Sequence, residues 1–144
     1  MAERIPATLW VGGSITREQY EEIKRLIEQE GEPFLSTVEP DSLVCGADNA
    51  LCGEFRDLEE YLVRHGIPFN RHTEAKYEYD ATLRVFRPGM FDEYAPANQD
   101  GNVVVLAEDV RQAIATTTAR EDLVRRLEEL TRACVPLPPL VVKD

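Results

Sequence analysis

An α+β fold, a mostly antiparallel sheet with helices packed on one face, is what this sequence predicts, and three observations carry it. Capped segments of helical apolar period alternate with β-like runs, and the order reads β-α-(ββ)-α-β-β followed by two helices. The continuous apolar strands of a buried parallel sheet are missing, which argues against a small three-layer fold. The first part of the order suggests a ferredoxin-like unit ahead of the two C-terminal helices. A chain of 144 residues suits a single domain, 1–144, ending in an extended proline-rich tail, 135–144.

Taken in order, residues 7–11 (ATLWV) form a short β-like run stopped by Gly12-Gly13. Thr16 and Gln19 have the form of a capping box, and Tyr20, Ile23, Leu26 and Ile27 continue it as a helix to about Glu30, with Glu21 and Arg25 spaced for an ion pair. Asp48-Asn49 lies between two apolar runs like a two-residue hairpin turn, which would set Cys45 across from Cys52; a continuous strand or an irregular loop is the rival. Asp57 and Glu60 bracket a second helix start, and Gly66 fits its C-terminal end just after His65. PFNRH reads as a strand, and alternation from Lys76 to Val85 reads as a long half-buried one. Residues 87–102 read as a long loop, and VVVLAEDVRQAIA as either a strand then a helix or one helix. Thr118 and Glu121 form a third capping box, before an apolar stripe of Leu123, Leu127, Leu130 and Cys134.

The net charge of −11 is uneven, with 5 basic and 14 acidic residues in the first 60 positions. Direct nucleic-acid or anionic-membrane binding, which needs clustered Lys and Arg, is not expected. No apolar run approaches the ~20 residues of a membrane span. The opening residues lack a secretory h-region, and three cysteines suit free thiols, so a cytoplasmic location is expected.

His65 and His72 fall within one seventeen-residue stretch, 64–80. His65 suits a helix C-terminus, where an imidazole meets the carbonyl end of the helix. His72, with Arg71, Glu74 and Tyr79, is the candidate set for general acid–base chemistry or ligand binding, the 87–102 loop serving as lid. Alternation along a strand would point Arg71 and His72 to opposite faces. Cys45, Cys52, His65 and His72 are the candidate zinc ligands, although only the Cys52–His65 gap resembles a zinc-finger spacing. VGGSIT is the nearest approach to a phosphate-binding turn. No nucleotide, zinc-protease or serine-hydrolase motif occurs, and no cofactor is expected.

Glu18, Glu21, Glu22 and Glu28 form an exposed acidic helix face, a candidate surface for a protein partner or for imitation of DNA phosphates toward a nucleic-acid enzyme. The tail contains P-x-x-P at 136–139, and this apolar tail and an open sheet edge both allow a homodimer. The expectation is a small acidic interaction or regulatory module without catalysis. A small enzyme or ligand binder around His72 and an acidic DNA mimic are the alternatives.

Overall fold

Arg4–Val11 forms strand β1, in which Ile5, Ala7, Leu9 and Val11 are buried, so period two gives the strand one core face. The computed structural model, which describes residues 3–76 and 80–144, places β1 inside a six-stranded antiparallel sheet. The remaining strands are β2 (Ser14–Thr16), β3 (Thr37–Glu39), β4 (Ser42–Leu51), β5 (Phe69–Thr73), β6 (Thr82–Arg87), β7 (Phe91–Pro96) and β8 (Val141–Lys143). The helices are α1 (Arg17–Glu30), α2 (Arg56–Arg64), α3 (Ala107–Thr116) and α4 (Arg120–Leu130).

The sheet order is β3-β4-β1-β5-β6-β7. Its first four strands, with α1 after β1 and α2 after β4, have the βαββαβ arrangement of a ferredoxin-like unit, and the β6–β7 hairpin widens it. Leu9 lies between Cys45 and Arg71, and Val11 between Leu43 and Phe69. On this face Ile23, Leu26 and Ile27 of α1 and Leu58 and Leu62 of α2 complete the core. Each such side chain contributes about 1.5–3 kcal/mol by leaving water.

The box at Thr16 and Gln19 forms as predicted and opens α1. The expected cap at Asp57 and Glu60 does not: α2 begins after Phe55, without a side-chain bond from that cap. Carboxylates, one from α1 and one from within α2, take the amides at its start instead. Glu30 accepts from Asp57 N at 3.0 Å and from Leu58 N at 2.9 Å, and Glu59 accepts from Phe55 N at 2.6 Å. The third box, at Thr118, is also absent, because α4 starts one residue later, after Ala119.

Asp48-Asn49 makes no hairpin. β4 runs through both residues, and its register with β1 shifts between Ile5 and Ala7, so that Asp48 and Asn49 bulge opposite Pro6. Proline cannot donate to the ladder, and a bulge there loses little pairing. Cys45 therefore faces Leu9, and Cys52 lies beyond the strand with φ 57°.

The segment 87–102 is structured as well. Gly89, at φ 74°, turns β6 into β7, and the Asn98 side chain accepts from the backbone of Asp100 and Asn102 to close a second turn. The alternation expected from Lys76 survives as β6, with Leu83 and Val85 buried; residues 77–79 lie outside the described ones. Val103 forms a lone β-bridge with Ala97 and α3 begins at Ala107, so the segment is not one helix from Val103 on.

Residues 136–143 lie against the body. β8 pairs in parallel with β2, Val141 N donates to Gly13 O at 2.9 Å, and Leu140 and Val142 pack on the core.

Candidate functional site

β5 separates the residues that the sequence set side by side. Arg71 pairs with Leu9 and faces the helices, whereas its neighbour His72 pairs with Thr8 and faces the other side of the sheet. Of the proposed His72, Arg71, Glu74 and Tyr79 set, Arg71 and His72 therefore point apart, and Tyr79 lies outside the described residues.

Beneath α2, Arg71 and Glu59 are each 3% exposed and form an ion pair. Glu59 also binds Arg84 at 3.0 Å, and Arg84 grips Asp92 through Nε at 3.0 Å and Nη2 at 2.7 Å. The rings of Phe69 and Tyr94 lie 5.3 and 5.4 Å from the Arg84 guanidinium. Hydrogen bonding to Asp92, and next to Glu59, raises the Arg84 pKa against the opposing effect of burial. Two positive and two negative side chains balance where a lone buried ion would be prohibitive. A groove of about 410 Å³ borders the cluster, lined in part by Arg56, Glu60, Val63 and Arg64. Both carboxylate oxygens of Glu59 are engaged, so the arrangement clamps α2 to β5 and β6 and presents no poised base.

Sequence reasoning missed Glu59, Arg84, Asp92 and Tyr94. The alternation in β6 sets Arg84 on its polar side, opposite Leu83 and Val85, so the sequence carried no signal that it meets Glu59.

On the opposite face His72 is 7% exposed, and its Nε2 donates to the carbonyl of Asn98 at 3.1 Å. Glu74 accepts from Gln99 at 3.3 Å, and Gln99 accepts from Ala75 N at 3.2 Å. His72 and Glu74 thus hold the 98–102 turn against β5, so the expected lid is a fixed part of the fold.

The four candidate zinc ligands are dispersed. Cys45 is buried on the helix face, His72 is on the other, Cys52 is exposed, and His65 caps α2 while stacking on Tyr61 at 4.2 Å. Among the described residues no three His, Cys, Asp or Glu side chains form a group able to hold a metal. The VGGSIT turn is closed by the chain itself, since Gly12 N donates to Pro68 O at 3.1 Å and Gly13 N to Pro138 O at 3.0 Å.

Along α1, Glu18, Glu21 and Glu28 are exposed. Glu22 is held by Arg25 at 2.5 Å, which lowers its pKa through the hydrogen bond; Arg25 thus pairs one residue nearer than the expected Glu21. No described helix is long and apolar enough to cross a membrane.

The predicted apolar stripe of α4 lies apart from the core. α4 has no buried residue: Leu123, Leu127 and Leu130 are half-buried and Val124 is exposed. Of α3 only Ala113 is buried, while Leu106 and Ile114, at 64% and 50% exposure, face solvent beside it. Amphipathic helices normally bury such stripes. No protein-family model matches the chain, and neither a curated protein nor a solved structure is significantly similar to it.

Proposed function

We propose that this acidic protein is a protein-binding module without chemistry of its own, and that the α3–α4 hairpin is its docking element. The observation carrying this reading is the apolar surface the hairpin region leaves in solvent, Leu106, Ile114 and Val124 at 64%, 50% and 42% exposure, beside an α4 stripe that is only half-buried. Apolar surface held outside a complete core is a mark of interaction sites. The separation of Arg71 from His72 supports the same reading, because an active site needs convergent groups. The exposed glutamates of α1 supply a second, acidic surface suited to a basic partner. Free cysteines agree with a cytosolic setting.

The test is affinity capture from lysate of the protein's own source with the tagged chain and with its V124E/L127E variant. A stoichiometric partner retained by the first and lost by the second, at unchanged thermal stability, supports the module. Equal capture by both removes the hairpin from the reading, and turnover in a metabolite screen overturns the reading outright.

A further inference from the structure

We infer that residues 135–141 present a preformed polyproline II ridge, Pro136 and Pro139, to a partner domain that reads P-x-x-P through a groove lined with aromatic side chains. This surface shares no residue with the α3–α4 hairpin, so the inference goes beyond the reading of that hairpin as a docking element and can fail without it.

The sequence sets the conformation. Pro136, Pro138 and Pro139 are each held at φ near −65° by their own rings. Val135, Leu137 and Pro138 each precede a proline, which keeps them extended. Val135 has φ −62° and ψ 125°, and residues 135–140 belong to no helix or strand.

Exposure then follows the three-residue turn of a polyproline II helix. Leu137 and Leu140 are half-buried, whereas Pro136, Pro138, Pro139 and Val141 are exposed. Leu140 packs on the core and Leu137 lies against Gly12, so these two form the ridge that faces the body. Pro136 and Pro139 form a second ridge, Pro138 and Val141 a third, and both stand in solvent. At β8 the period changes to two, with Val142 half-buried between exposed Val141 and Lys143.

The body also fixes the segment before any partner arrives. Arg87 donates to Val135 O at 2.8 Å, Gly13 N to Pro138 O at 3.0 Å, and Leu140 N to Asp41 O at 3.0 Å. Binding therefore orders little that is not already ordered. Among the described residues the carbonyls of Pro136, Leu137 and Pro139 accept no hydrogen bond within the chain. They suit the N–H and O–H donors of Trp and Tyr, whose rings pack on prolines in grooves of this kind. Charge points the same way. No acidic residue lies between Glu129 and Asp144 in a chain of net charge −11, so the two ridges are apolar and an aromatic groove matches them better than a basic one.

Titration of the isotope-labelled full chain with a panel of purified SH3 domains, followed through amide shifts, tests this. At least one domain is expected to bind saturably below roughly 1 mM, moving the amides of Leu137, Leu140 and Val141. The P136A/P139A variant should bind that domain roughly tenfold or more weakly, as for the loss of two anchors. Its amides outside residues 132–144 should keep their positions, which separates loss of the ridge from loss of the fold.

No binding across the panel overturns the inference, as does binding that P136A/P139A leaves unchanged or shifts confined to α3 and α4. If the same three amides move when the chain alone is concentrated, a second copy covers the ridge and the inference fails. If the ridge binds nothing while V124E/L127E still loses a captured partner, the inference fails and the hairpin reading stands.

Discussion

Glu30, in the last turn of α1, accepts the amide of Leu58 at 2.9 Å, so one helix caps the next across the core. The same carboxylate accepts Asp57 N at 3.0 Å, and the cap Phe55 cannot supply comes from a residue distant in sequence. Glu30→Ala should destabilise the fold by about 1–2 kcal/mol, the usual loss for a helix N-cap. Burial raises the Glu30 pKa, and the two amides only partly offset it. A raised carboxyl pKa means that stability falls as pH rises through the folded value. Urea titrations at pH 5 and 7 should therefore find the wild type gaining on Glu30→Gln as pH falls.

Glu59 and Arg71 are a buried pair, and removing one partner strands the other. Glu59→Ala should cost about 3–5 kcal/mol, whereas the double Glu59→Met, Arg71→Met variant should recover most of that loss. Unfolding free energies of the wild type, the Glu59→Met and Arg71→Met single variants and the double give the coupling. Equal losses in the single and double variants would show that the pair does not act as a unit.

Gly12 is where the tail comes closest. A Cβ there would overlap Pro138 O and lie 2.8 Å from Leu137 Cγ. Gly12→Ala should lift residues 136–143 from the body. Hydrogen exchange at Val141 N, which donates to Gly13 O, should speed up while the amides of β1 and β5 remain protected.

Cys45 is buried, and burial, with the nearby charge of Glu30 added, pushes its thiol up to about 12. At pH 8 only roughly one molecule in ten thousand then carries the thiolate that reacts. A thiol reagent should label the exposed Cys52 and Cys134 in the native protein and Cys45 only on unfolding.

The architecture was legible where local chemistry and tertiary pairing agree. Thr16 and Gln19 opened α1 as read, Gly66 at φ 64° closed α2 behind His65, and the ferredoxin-like order followed. It misled where pairing prevailed over a local signal. Asp48-Asn49 has turn chemistry, yet β1 lies alongside and Pro6 offers no donor there, so the pair became a bulge. FDEYAP hid a strand because its acids answer to β6, with Asp92 bound to Arg84. The Glu59 cluster was illegible because no local spacing joins α2 to two different strands. The α4 stripe was readable as apolar, but only three dimensions reveal that its own chain covers it in part and leaves Val124 exposed.

The parallel pairing of β2 with β8 also constrains how the protein is made. Ile15, 1% exposed in the finished fold, is made long before Val142, its partner across the pair. At translation speeds of about 5–20 residues per second the wait is on the order of ten seconds. A nascent chain thus carries this flank open from the synthesis of Ile15 until Val142 is made, and a ribosome stalled between the two leaves the flank exposed to whatever binds unfinished proteins.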